Sequence, residues 1–287
     1  WRLASRPPGH DASAPGPRWG CGPGAPGPGP WDHLPVEAAL EVTREGPVAV
    51  VRLARGKVNA IDAESAEEVA AVLDGLAPDE AVGAVVLTGA GTVFSAGVDL
   101  RRVVEEDDAY VARLIAALRR MFETLFAFPK PTVAAVNGAA VAGGCILACA
   151  CDRRLVADGA RIGATELTVG VAFPASALEI LRHACGRHTE DVVTSARLLT
   201  AEEARAVGMA HEVVGRDALA DRSLEVARGL ASLAPPAYRL AKEQLRRPAR
   251  RRMAEDGPVV DDEATRIWAS PDTRERLHRQ LERLGAR

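Results

Sequence analysis

Two stretches of this sequence place small residues where backbone amides could do chemistry. One is Thr92-Val93-Phe94-Ser95-Ala96-Gly97-Val98-Asp99-Leu100; the other is Val136-Asn137-Gly138-Ala139-Ala140-Val141-Ala142-Gly143-Gly144-Cys145. Each follows a short strand-like run, Ala84–Leu87 for the first and Thr132–Val136 for the second, and the second leads straight into a helix. The first amides of a helix are unpaired and carry partial positive charge. Amides from two such junctions could converge on one oxygen and stabilise negative charge developing on it. Tight packing is the other reason for glycine at such places. Neither stretch is a phosphate loop, since GxxxxGKS/T is absent and no GxGxxG follows either strand. Among the remaining reactive side chains, Asp99 reads as a helix N-cap. Glu179, amid Leu178, Ile180 and Leu181, reads either as an acid facing a pocket or as an ion-pair partner of Arg182 or Arg187. His183 and His188 flank Cys185, but nothing else of a nucleophilic triad accompanies them.

The elements that must hold these loops follow from periodicity. Leu40–Thr43 and Val48–Leu53 alternate around Glu45-Gly46-Pro47, which predicts an antiparallel hairpin. A helix is expected from Asp62 to Leu76, with Ser65 and Glu68 at capping-box spacing. Residues 107–128 form a long amphipathic helix whose stripe is Val111, Leu114, Ile115, Leu118, Phe122, Leu125 and Phe126. Pro129 and Pro131 end it before the Thr132–Val136 strand. Gly143–Cys151 is apolar all round, hence a buried helix, and Arg154–Ala157 is another strand. Strands alternating with helices imply an α/β fold built on a largely parallel sheet, with functional loops at carboxyl ends. After Pro174 the strand signal nearly vanishes, apart from His211–Val214. Helices are expected at 175–185, 189–195, 201–207, 217–231, 236–247, 259–269 and 271–284. No internal repeat is visible.

Composition narrows the class. The chain has 287 residues, 47% hydrophobic, with formal net charge −3, which gives no general argument for a nucleic-acid or membrane-surface partner. No apolar run reaches the roughly 20 residues of a membrane helix. The five cysteines are odd in number, and Cys145, Cys149, Cys151 and Cys185 sit in apolar surroundings. They read as reduced thiols of an intracellular protein, without CxxC or histidine spacing for a metal. Residues 1–35 hold nine of the 19 prolines and seven of the 26 glycines, a composition expected to stay disordered. That segment has no apolar core of a secretory signal; Arg2, Arg6 and Arg18 suit an organellar presequence, though Pro and Gly would interrupt its helix. The basic run Arg246-Arg247-Pro248-Ala249-Arg250-Arg251-Arg252 reads as a solvated helix end, with nucleic acid or a neighbouring subunit's ligand phosphates as alternatives.

Taken together these motifs resemble the crotonase, or enoyl-CoA hydratase/isomerase, superfamily. Phe94–Leu100 is similar to its first oxyanion loop, and Lys130-Pro131-Thr132 through Cys145 to its second. Cys151-Asp152 and the strand after it, Glu166-Leu167-Thr168-Val169-Gly170, Leu198–Ala204 and Gly208–Val214 match later motifs in order. The resemblance runs from about Leu40 to the C-terminus. It implies a spiral of ββα units over 36–215 and a helical C-terminal region, 216–287, that mediates a homotrimer or a hexamer of paired trimers. It implies an acyl-CoA substrate, with coenzyme A entering as part of the substrate and no separate cofactor or metal, in a cytoplasmic enzyme. The amides of Ala96 and Gly143 would hold the thioester oxygen. Lys57, Val58 and Ala60, with Ala96, Gly97, Val98, Asp99 and Gly143, would line the coenzyme A thioester. Glu166, flanked by Leu167 and Val169, would carry the proton.

The sequence departs from the hydratase pattern at one telling place. Hydratases use two glutamates to hold water, and the first of those positions is here Ile146. One carboxylate beside an apolar partner resembles the Δ3,Δ2-enoyl-CoA isomerase branch, in which a single base shuttles a proton from C2 to C4. Hydration with an unusual acid, decarboxylation, and a non-catalytic acyl-CoA-binding protein are the other readings.

Overall fold

The computed structural model describes residues 40–285; the expectations for residues 1–35, and Cys21, lie outside them. β1 (Leu40–Glu45) and β2 (Val48–Leu53) form the expected antiparallel hairpin. After α1 (Ala63–Leu76), the chain runs through β3 (Ala84–Gly89), β4 (Val93–Ser95), α2 (Leu100–Glu105) and α3 (Asp108–Ala127). Then come β5 (Thr132–Val136), β6 (Ala139–Val141) and α4 (Gly143–Ala150), followed by β7 (Arg153–Ala157), β8 (Arg161–Gly163), a 3₁₀ turn over Glu166–Val169, and α5 (Ala175–Cys185). The remainder is α6 (Thr189–Ser195), β9 (Leu199–Thr200), α7 (Ala201–Ala206), β10 (Glu212–Val214), α8 (Leu219–Ala231), α9 (Pro235–Ala269) and α10 (Pro271–Gly285).

Two sheets organise these elements. The larger has the order β1-β2-β3-β5-β7-β10 and is parallel from β2 onward. The smaller, β4-β6-β8-β9, was not visible in the periodicity because its strands are only two or three residues long. β3, β5 and β7 of the large sheet are each followed by one strand of the small sheet and then by helical backbone, which makes the repeated ββα unit. Asparagines lock the paired turns. Asn137 Nδ2 donates to the Gly89 and Gly91 carbonyls, and its Oδ1 accepts from the Gly89 amide. Gly138 must be glycine, because a Cβ there would stand 1.9 Å from the Thr92 carbonyl oxygen.

The core lies between the sheets and α1, α3, α4 and α5. Phe122, Phe126, Met121, Leu114 and Leu125 from α3 are fully buried, at about 1.5–3 kcal/mol of transfer free energy for each such side chain. The α1 capping box pairs Asp62 with Ser65 rather than Ser65 with Glu68. The helices expected at 236–247 and 259–269 are one 35-residue helix, α9, that passes through Pro248 and Pro258. Buried anchors on both halves (Lys242, Arg246, Asp261 and Trp268) hold it against propensity. The basic run is therefore mid-helix. Arg246 is buried and Arg252 pairs with Glu179, which leaves Arg247, Arg250 and Arg251 exposed. Among the described residues no helix is long and apolar enough to cross a membrane.

Candidate active site

The chemistry-bearing residues sit just beyond the ends of three adjacent parallel strands of the small sheet. β4 pairs with β6 and β6 with β8. Val98 follows the end of β4, Gly143 the end of β6, and Glu166 the end of β8. The register does the positioning: Ser95 opposes Ala140, Val141 opposes Gly163, and the Ala142 amide donates to the Gly163 carbonyl at 2.8 Å.

In the first loop the structure corrects the expected donor. The Ala96 amide is already engaged, donating to the Val58 carbonyl at 2.9 Å, and the Gly97 amide donates to Ser95 Oγ at 3.2 Å. Ile61 then forms an isolated parallel bridge with Val98: its amide donates to the Gly97 carbonyl, and its carbonyl accepts from Asp99, both at 2.8 Å. Extended backbone alternates, so with its two neighbours facing Ile61 the Val98 N–H points the other way. It has no backbone acceptor. The family resemblance points to Ala96, whose amide is paired; strand alternation, invisible without Ile61, leaves the Val98 amide without a backbone acceptor instead.

The second loop runs directly into a helix. Gly143 is the first residue of α4, and the first amides of a helix have no acceptor in a preceding turn; the earliest such bond here runs from Ile146 to the Ala142 carbonyl. The two loops touch. A Cβ on Gly97 would lie 2.7 Å from the Val141 carbonyl oxygen and 3.3 Å from the Gly143 nitrogen, and one on Gly144 would lie 2.6 Å from the Ser95 carbonyl oxygen. Gly97 also has φ +82°. Gly97→Ala is therefore expected to lower acyl-CoA turnover by about 10²-fold through displacement of the paired loops. Steady-state kinetics alongside a melting curve would check it.

Ala142, which precedes Gly143, has φ 50° and ψ −119°, a region natural to glycine. This strain costs on the order of 1–3 kcal/mol. Ala142→Gly is expected to stabilise the fold by about 1 kcal/mol net of glycine's greater unfolded freedom, read as a higher urea midpoint at unchanged slope.

Asn59, also at positive φ, fastens residues 57–60 to the first loop. Its Nδ2 donates to Ala90 and Val93 carbonyls at 3.0 and 2.8 Å, and its carbonyl accepts from Ser95 Oγ. Beside it Lys57 and Val58 are exposed and Ala60 is half-buried. Asp99 caps α2, accepting from the Arg101 amide at 3.0 Å.

Glu166 is buried, 7% exposed, and its Oε2 has no partner. Burial pushes its carboxyl up to about 8, with its own backbone amide the opposing influence. Its charge reaches Cys145, two residues past Gly143, and helps push that thiol up after its hydrogen bond with Cys149 and burial. The carboxylate is thus near enough to the buried start of α4 for its charge to be felt there. Ile146 is buried and brings no proton carrier. Glu179 is no substitute: its carboxylate pairs with Arg182 and, at 2.7 Å, with Arg252, while Arg187 takes no part. His183 lies edge-on to Phe126, and burial holds it down to about 4; the Cys185 thiol is pushed up to about 12. Neither suits nucleophilic catalysis.

Loop amides without a backbone acceptor after β4 and β6, and one buried unpartnered carboxylate after β8, are the arrangement expected of an acyl-thioester enzyme of the crotonase type. Comparison with known proteins agrees. The enoyl-CoA hydratase/isomerase family model matches residues 43–286, and the chain belongs to that family. A Thermus thermophilus protein provisionally assigned as an enoyl-CoA hydratase is 38% identical over 205 residues, covering 70% of this chain and 81% of that one. The short-chain-enoyl-CoA hydratase of Clostridium acetobutylicum is 32% identical over 207 residues, 71% of this chain and 79% of the other. The crystal structure of human mitochondrial Δ3,Δ2-enoyl-CoA isomerase superposes with TM-score 0.83 at 26% identity, covering 87% of this chain and 99% of that one.

Proposed function

We propose that this enzyme is a Δ3,Δ2-enoyl-CoA isomerase in which the amides of Val98 and Gly143 hold the thioester oxygen and Glu166 carries the proton. The observation that carries the reading is a single buried carboxylate held near neutral pKa, with Ile146 where a second acid would be needed to fix water. The ionised Glu166 takes a proton from C2, the negative charge moves onto the thioester oxygen, and the two amides stabilise it. One such donor is typically worth ~3–4 kcal/mol. The protonated Glu166 returns the proton at C4, so no water and no resident cofactor enters the cycle. Lys57, Val58 and Ala60 line the coenzyme A chain of the substrate. The likeness to the human isomerase favours this reading; the hydratase names of several relatives favour the second, water addition to a 2-enoyl-CoA.

Incubation with 3-enoyl-CoA and with 2-enoyl-CoA separately, with identification of products, tests it. Conversion of the 3-enoyl to the 2-enoyl thioester with little 3-hydroxyacyl-CoA is expected; robust hydration would overturn the single-base reading. The reduced thiols fit a cytoplasmic setting. The assembly we propose is a homotrimer or a pair of trimers, supported by Leu240, Leu245, Val259 and Ile267, which α9 leaves exposed.

A further inference from the structure

The C-terminal helices touch both halves of the candidate site in their own chain. On one side, Arg274 of α10 gathers the end of α2: one guanidinium nitrogen donates to the carbonyls of Val103, Val104 and Glu106 at 3.0, 3.3 and 2.8 Å. The other reaches Asp108 Oδ1 at 2.9 Å. These are last-turn carbonyls that a helix cannot satisfy internally. α2 begins immediately after Val98 and Asp99, and its Val103 is fully buried, so its placement bears on where the Val98 amide points.

On the other side, the segment after Glu166 is fixed at three points. Thr273 Oγ1 donates to the Gly170 carbonyl at 3.4 Å, Trp268 Nε1 to the Ala172 carbonyl at 2.8 Å, and Asp261 Oδ1 accepts from the Ala175 amide at 2.9 Å. The Arg276 stem lies against Gly170, where an added Cβ would meet its Cδ at 2.7 Å. Trp268, Asp261, Thr273 and Leu277 are all buried. Beyond the assembly role expected of this region, these hydrogen bonds run to the segments that follow the Val98 loop and the Glu166 turn.

We propose that α9 and α10 form an intrachain clamp that sets the oxyanion amides and the base against each other, with Arg274 the positioning residue for the Val98 loop and Trp268 for the Glu166 turn. The assignment rests on the oxyanion pair and base described above. Neither side chain touches the reacting atoms; each acts through backbone it holds.

The test uses the full-length protein and a push–pull aryl enoyl-CoA, a chromophore whose absorption moves to longer wavelength when its carbonyl is polarised. Binding to the parent enzyme is expected to give that red shift. Arg274→Ala should shrink the shift and lower kcat for 3-enoyl-CoA by about 10- to 100-fold. Arg274→Lys, which keeps a cation but not the fork, should fall between and covers the case in which the alanine variant does not fold. Trp268→Phe keeps the ring and removes one donor; it should keep the red shift and KM while kcat falls about 10-fold. Folded Arg274 variants and Trp268→Phe that differ from the parent only in melting temperature, with full red shift and kcat, overturn the clamp. A parent enzyme that gives the red shift but does not convert 3-enoyl-CoA overturns the isomerase reading alone, and the Arg274 variants still decide the clamp. A parent enzyme that shows no red shift overturns the oxyanion pair and the clamp together.

Discussion

Glu166→Gln is expected to lower 3-enoyl-CoA isomerisation by about 10²–10⁴-fold, the usual cost of removing a general base, while ligand binding stays close to that of the parent. Shape and both amides survive the substitution, so product traces and a thioester-binding titration separate the two effects. The pH dependence carries the same signature. Only the carboxylate can take the C2 proton, so turnover at low substrate should rise with pH through about 8 in the parent enzyme. Stability should run the opposite way. In the unfolded chain Glu166 ionises at its ordinary value of 4.5, and in the folded protein burial holds it protonated to about 8. Between those values the unfolded chain has already lost the proton that the folded state keeps, so folding stability falls as pH rises through that window. The parent should be weakened by several kcal/mol, in order of magnitude, at the upper end. Glu166→Gln removes this ionisation and should unfold at a higher urea concentration than the parent at pH 8.5, with the gap closing at pH 5. An inactive variant without that crossover would mean that water or an unseen partner solvates the carboxylate. A fully active one would take Glu166 out of the mechanism.

What the sequence disclosed and what it hid divide along physical lines. Long periodic segments were legible: the β1–β2 hairpin, α3 with its apolar stripe, α5 and α6 all fall where periodicity sets them. The small sheet was not, because strands of two or three residues such as β4 and β9 carry no alternation to count, yet that sheet aligns the site. The shift from Ala96 to Val98 has the same origin. Which amide in a loop is free depends on which neighbours pair with Ile61, a residue 37 positions upstream that no local pattern connects to the loop. The prolines of α9 misled in the opposite direction. Local chemistry argues for breaks at Pro248 and Pro258, and tertiary anchors on both sides override it. The strand-to-helix junction at Gly143 and the turn at Glu166 were legible as local structure because each is a sharp change of element, while their roles rest on the family resemblance.

Those anchors make Asp152→Asn the substitution with the largest expected effect on stability. Asp152 immediately precedes β7 with its side chain 12% exposed, its Oδ2 accepting from the Thr132 amide at 2.8 Å and from Lys242 at 2.7 Å, while its Oδ1 takes Arg246 at 2.6 Å. Burial pushes this carboxyl up, but Lys242 and Arg246 outweigh it and hold it below the ordinary range. Lys242 and Arg246 are 8% and 4% exposed, and burial draws the Lys242 ammonium down to about 8 even with Asp152 beside it. Removing one member of a buried charge cluster strands the others, which costs about 3–5 kcal/mol. Arg246 also donates to the Phe126 carbonyl and lies 4.3 Å from that ring's centroid, so the loss would loosen α9 against the end of α3. The mechanism can be separated from simple loss of packing. Asparagine keeps the volume and one acceptor, so the destabilisation should come from the unpaired cations. Lys242→Met added to Asp152→Asn should then recover a good part of it, whereas Lys242→Met alone should destabilise the parent. Urea unfolding of the four proteins gives the coupling directly. Additive losses in the double variant would show that Asp152 acts through the Thr132 hydrogen bonds and not through charge.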